Sequence, residues 1–180
     1  MDKQTLRKLI LTALFAAIIS IASPISIPIG AIPITLSVFA IFLCGAILPP
    51  QYAVLSTLVY IAIGAVGLPV FSNFTGGFQV LIGFKGGFIW SYPIMALVIA
   101  LSVRIFKKRN ILSLTSGMLI ALIICYTMGT LWFSYVLDKS FLYGLEMCVF
   151  PFIIPDLIKA AVAIVITLIL SKSSLLKNQI

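Results

Sequence analysis

The chain has 180 residues, 62% of them hydrophobic and only 9% charged, with a formal net charge of +8. A mean hydropathy of +1.26 with so few charges excludes a water-facing surface of this size and leaves lipid as the solvent for the apolar excess. The charges fall between hydrophobic runs rather than on one basic face, which excludes nucleic acid as the partner. The absence of histidine removes the commonest general base and metal ligand.

A spanning helix takes about 20 mainly apolar residues. The first run, Leu9 to about Ser23, follows Lys3, Arg7 and Lys8. Its charge and length resemble a signal peptide, but further apolar segments follow in place of a soluble domain, so it reads as a retained first helix. Within it Ala13 and Ala17 form an AxxxA, with Thr12 and Ala16 alongside. Small residues four apart let helices approach closely, either inside the bundle or at a partner. Pro24, Pro28 and Pro33 then break the chain into an apolar connector lying at the membrane surface or dipping into the protein.

A second run spans about Thr35 to Leu48 and stops at Pro49-Pro50; a third spans about Tyr52 to Gly67. Both are short for a crossing. The stretch from Gly67 to Gly87, GLPVFSNFTGGFQVLIGFKGG, carries six glycines and reads as a loop or broken segment. Irregular backbone at membrane depth must be buried in protein or line a polar cavity. Ser72, Asn73, Thr75, Gln79 and Lys85 stand there among Phe71, Phe74, Phe78, Phe84 and Phe88. A few placed polar groups among apolar ones is the composition of a small-molecule site. GxxxxGK[ST] does not occur, so the chain has no phosphate-binding loop with which to hydrolyse ATP.

The fourth run, about Phe88 to Ile105, ends in Arg104, Lys107, Lys108 and Arg109; the fifth covers about Leu112 to Tyr135. A short loop with Asp138, Lys139 and Glu146 leads to the sixth run, about Phe150 to Leu170, and the tail carries Lys172 and Lys177. Six spans place both termini on one side with nine basic residues, against Lys85 and Lys139 on the other. By the positive-inside rule the termini are cytoplasmic, and the Gly67–Gly87 and Asp138–Glu146 loops face outward. The expected fold is an all-α integral membrane bundle of six transmembrane helices, one domain over residues 1–180.

The sixth run contains PDLIK. Asp156 and Lys159, at i and i+3, share a helix face and are the ionisable residues inside a predicted span. Intramembrane charges face a cavity and mark substrate or ion pathways, or else neutralise each other as a structural pair. Pro155 frees a carbonyl one turn earlier. The other acids, Asp2, Asp138 and Glu146, lie at the terminus or in a loop, so a carboxylate metal site is hard to build. Cys44, Cys125 and Cys148 are isolated and match no zinc spacing; they read as small packed hydrophobes. The residues describe a membrane protein that captures a small molecule from outside the cell, with no cofactor and no catalysis.

Taken together, GLPVFSNFTGG at Gly67–Gly77, GxxGG at Gly83–Gly87, PxxxPDxxK at Pro151–Lys159, the segment Ile27–Thr35 and the AxxxA resemble one family. It is the biotin-specific substrate-binding component, BioY type, of energy-coupling factor transporters. The resemblance implies a six-helix bundle of the cell membrane that binds biotin near its outer face. It also implies as partner an energising module of a transmembrane coupling protein and two ATP-binding-cassette ATPases. The residues implied for substrate are Asp156, Lys159, Asn73, Lys85, Gln79, Gly76, Gly77 and Gly86; those implied for docking are Ala13 and Ala17. Lys159 or Lys85 suits the biotin carboxylate, and Asp156 and Asn73 suit the ureido ring. The family usually reads Gly-Pro-Thr-Gly-Gly where this chain has Gly83-Phe84-Lys85-Gly86-Gly87. Rival readings are a component for another vitamin such as thiamine or riboflavin, an intramembrane enzyme, and a small channel or autonomous transporter. Inverted repeats would favour the last, and none is evident.

Overall fold

A computed structural model describes residues 2–28 and 32–172, so Lys177 and the stretch 29–31 of the proline-rich connector lie outside the described residues. The fold is helical. In chain order it runs α1 (Lys3–Ala22), a two-stranded antiparallel ribbon β1 (Ser26–Ile27) and β2 (Ile34–Thr35), α2 (Ser37–Ile47), α3 (Pro50–Ala65), α4 (Phe78–Ile82), α5 (Gly86–Ile105), α6 (Ile111–Leu137), α7 (Phe141–Cys148) and α8 (Phe150–Ser171). Four helices, α1, α5, α6 and α8, are long and apolar enough to cross a membrane, while α2 and α3 are shorter apolar helices.

Helix α5 is the hub, packing on α6, α3 and α2, while α1 lies against α3 and α2, and α2 against α8. The core runs through this centre with Ile19, Ile41, Phe42, Tyr60, Met95, Ile99, Leu114 and Met118 fully enclosed. Helix α2 is buried on almost every residue, so at about 1.5 Å of rise per residue its 11 residues need not reach across a bilayer to be shielded from lipid. Its last turn is tied down from the connector between α5 and α6: Arg109 donates to the carbonyls of Ala46 and Ile47 at 3.0 Å each. Asn110 caps α6 with a reciprocal Asn110–Ser113 box.

Two sequence expectations are revised. The stretch from Asp138 to Glu146 is not a plain loop: Ser140 caps a helix from Phe141, and Glu146 lies within it. Gly144 there lets α7 lie against Thr130 and Ser134 of α6. The glycine-rich stretch is broken backbone as expected, but it holds a 3₁₀ turn at Ser72–Phe74 and the short α4. Its folding needs glycine both within it and in the neighbouring α3. A Cβ on Gly64 would sit 2.1 Å from the Phe71 ring, which is fully buried, and one on Gly86 would sit 1.9 Å from the Leu81 carbonyl.

Candidate functional site

At the end of the bundle that carries the ribbon and the glycine-rich segment, the helices part around a cleft of about 640 Å³, counting its mouth open to solvent. The wall residues come from seven places in the chain: Ser23 after α1, Ile32 to Val38, Tyr60 of α3, Ser72 of the 3₁₀ turn, Lys85 to Tyr92, Cys125 and Tyr126 of α6, and Cys148 to Lys159.

The charged wall belongs to α8. Asp156 is 2% exposed, accepts from Lys159 Nζ on one carboxylate oxygen at 2.8 Å and from the Tyr126 hydroxyl on the other at 2.8 Å. An uncompensated charge here would be costly; a carboxylate held by an ammonium and a phenol is not. Each partner keeps bonding capacity, since an ammonium has three donors and a carboxylate about four acceptor positions. Pro155, next to the lining residue Asp156 in α8, and Pro93, next to the lining residue Tyr92 in α5, each remove a helical N–H.

The facing wall is a set of hydroxyls. Ser23 bonds the Tyr60 hydroxyl at 2.8 Å, and Ser37 bonds both Tyr92 at 2.9 Å and Thr35. The Tyr60 and Tyr92 rings lie 6.3 Å apart. Sequence reasoning missed this wall. The signal was single Ser and Tyr residues inside otherwise apolar runs, which only a helix register could aim at a common space. Ile32, Val38, Phe88, Ile89 and Phe152 supply apolar surface between the two walls.

Lys85 joins the lining from the turn before α5. It is the residue preceding α5, half-buried, and burial pushes its ammonium below the ordinary lysine value. Its turn is braced by Gly86 N–H to the Gly83 carbonyl at 2.9 Å and by the Trp132 indole N–H to the same carbonyl at 2.9 Å; Trp90 donates to Leu81 at 3.2 Å. Cys148, also in the lining, is buried, and burial pushes its thiol up to about 12, which keeps it protonated at neutral pH.

The structure thus brings Asp156, Lys159 and Lys85 of the expected site residues to one cleft. Asn73 stands next to the lining residue Ser72, exposed, with φ 57°, and bonds Ser26 of the ribbon twice: Ser26 Oγ donates to Asn73 Oδ1 at 2.6 Å, and Asn73 N–H donates to Ser26 Oγ at 3.3 Å. Gln79 is exposed and bonds the Gly76 carbonyl. Gly76, Gly77 and Gly86 shape backbone beside the cleft rather than lining it. Gly76 lies against the Leu68 carbonyl, Gly77 has φ 97° and donates to the Gly64 carbonyl, and Gly86 is buried under Leu81.

The expected docking alanines lie elsewhere. Ala13 and Ala17 are exposed, on a face with Leu6, Ile10, Leu14 and Ile21, whereas the neighbouring Thr12 and Ala16 are buried against the bundle.

Residues 1–175 match the BioY family. The chain is 39% identical over 158 residues to a probable biotin transporter BioY of Pyrococcus horikoshii, covering 87% of this chain and 91% of that one. It is 39% identical over 170 residues to a biotin transporter BioY of Thermotoga maritima, covering 93% and 97%. Among solved structures, the S-component for biotin from an ECF-type ABC transporter superposes with a TM-score of 0.89 at 25% identity, covering 99% of this chain and 98% of that one.

Proposed function

The chain belongs to the BioY family, and we propose that it is the biotin-binding membrane component of an ATP-driven vitamin uptake transporter of the energy-coupling factor type. The family is one of transport, not catalysis. The observation that carries the reading is the cleft in which the Asp156–Lys159–Tyr126 group, Lys85 and the Tyr60–Tyr92 hydroxyl wall enclose an apolar interior.

Biotin has a ureido ring, an apolar tail and a carboxylate. Its ureido head offers N–H donors and a carbonyl acceptor. Asp156 has acceptor capacity for the first, and Lys159 has donors left for the second. The tail is matched by Ile89, Phe88 and Phe152. Asn73 and Gln79 belong to the segment that closes the mouth, and the bond of Asn73 to Ser26 ties that segment to the ribbon.

Six crossings, made by α1, α2, α3, α5, α6 and α8, place both termini in the cytoplasm with the nine basic residues and open the cleft to the outside of the cell membrane. The partner is a transmembrane coupling protein with two ATP-binding-cassette ATPases, reached through the exposed Ala13 and Ala17 of α1. Small residues facing outward permit the close backbone approach that a partner helix needs.

Isothermal titration of biotin into the purified chain tests the reading. One biotin per chain is expected, with thiamine and riboflavin giving no heat. Binding of either of those in place of biotin would assign the chain to another vitamin.

A further inference from the structure

We propose that Lys85 is a specificity-determining residue that reads the ligand's free carboxylate, so that the cleft takes the acid and discriminates against its neutral esters and amides. The inference rests on the biotin reading above and extends it to one residue where this chain departs from the family pattern.

Charge balance is the first argument. Among the described lining residues of ordinary charge at neutral pH, two ammonium groups, Lys85 and Lys159, face one carboxylate, Asp156. Lys159 and Asp156 pair at 2.8 Å and cancel, and the second Asp156 oxygen is held by Tyr126. One positive charge is left over, and it is on Lys85. The neutral pair suits a neutral head group, and the surplus cation suits an anionic end.

Placement is the second argument, because among the described residues a cation–π contact with the Phe84 ring is the one local feature at Lys85 that favours a cation, and three features disfavour it. It precedes the first turn of a 20-residue helix, the end where the macrodipole favours anions, and that turn contains no acidic residue. It is half-buried, which disfavours charge. In the proposed topology it also stands on the side of the membrane that basic residues avoid. The ring of its neighbour Phe84 lies 5.7 Å from its Nζ, measured to the centroid. A ligand carboxylate would compensate all three disadvantages at once.

The turn is built to hold this position. Phe84 lies beneath the Lys85 ammonium and packs edge-on to Phe133 at 6.0 Å, beside the cluster of Ile32, Phe133, Cys148 and Phe152. The indole of Trp132 fixes the carbonyl of Gly83. Phe84 and Lys85, the two departures from Gly-Pro-Thr-Gly-Gly, therefore divide the work: one anchors the turn and the other charges the cleft.

The test compares biotin, biotin methyl ester and biotin amide by competition on the purified full-length chain at neutral pH. The wild type is expected to bind the acid about tenfold or more tighter than either neutral derivative, the scale of a hydrogen bond to a charged group. Lys85→Thr, which installs the family's usual residue, is expected to bring the acid down to about the ester's affinity, moving the ester itself by less than about threefold. Lys85→Arg is expected to keep the preference for the acid. The retained ester binding shows that the variant is folded. A Lys85→Thr protein that still prefers the acid, a wild type that binds acid and ester alike, or a Lys85→Thr protein that binds neither, each overturns the proposal. None of these outcomes touches the biotin assignment, which fails only if the wild type does not bind biotin.

Discussion

The cleft and the outward face of α1 answer the same sequence, apolar throughout, in opposite ways. In the cleft, side chains from seven parts of the chain satisfy one another: Tyr126 and Lys159 on Asp156, Ser23 on Tyr60, Ser37 on Tyr92. The outward face of α1 is a stripe on a single helix, two alanines among exposed leucines and isoleucines. A site assembled from many elements is sensitive to each of them. A stripe on one helix can be altered without disturbing anything behind it. The two regions should therefore be separable by mutation.

The largest effect comes from the stripe. Ala13→Trp or Ala17→Trp adds bulk to an exposed position and needs no repacking of the bundle. Uptake of biotin by cells and co-purification with the coupling protein are expected to be lost, while titration of the isolated variant gives the wild-type affinity. Loss of binding together with uptake would erase the distinction between the regions. Full uptake by both variants would place the docking surface elsewhere.

Next come the charges of the cleft. Lys159→Ala leaves Asp156 buried with only Tyr126, and Asp156→Asn leaves Lys159 without its counter-charge. Removing one partner of a buried pair costs about 3–5 kcal/mol, somewhat less here because Lys159 keeps partial exposure. Each variant should bind biotin at least about tenfold more weakly, since a tenfold loss is only about 1.4 kcal/mol. Each should also melt at lower temperature. The alanine-stripe variants should show neither change. Wild-type affinity in both cleft variants would make the pair purely structural.

The smallest effect is on pH dependence. Burial lowers the Lys85 value from 10.5, so its charge is lost at lower pH than that of an ordinary lysine. Biotin affinity should be flat around neutrality and fall as pH rises through that lowered value; ligand binding, which favours the ammonium, should be accompanied by proton uptake there. The stability term has the opposite sign. The desolvation cost of the charged Lys85 opposes folding below its folded value and fades as pH rises toward 10.5. Lys85→Thr should flatten this limb of the affinity profile. An unchanged limb in that variant would place its origin outside Lys85. Co-purification through α1 should show no such limb in either protein.

Much of the molecule was legible in the chain itself. Hydropathy gave the helical runs, because lipid imposes a length and a composition that a single sequence must satisfy locally. Pro49-Pro50 and the glycines of Gly67–Gly87 marked the breaks for equally local reasons. PDLIK pointed to a polar site because a charge in an apolar run must find a counter-charge or a cavity. What only the tertiary structure decided were matters of direction. Two rows of small residues on α1, Thr12 with Ala16 and Ala13 with Ala17, are equivalent in sequence, and packing against α3 and α2 buried the first and left the second exposed. Of the polar residues in the glycine-rich segment, Lys85 and Ser72 line the cleft while Gln79 stays outside, and backbone path rather than composition chose among them. Helix α7 went unread because its eight residues are too few for a hydropathy signal and depend on a serine cap and a glycine contact with α6. The Tyr60–Tyr92 wall came from helices distant in the chain, and pairing across space leaves no trace in the order of residues along it.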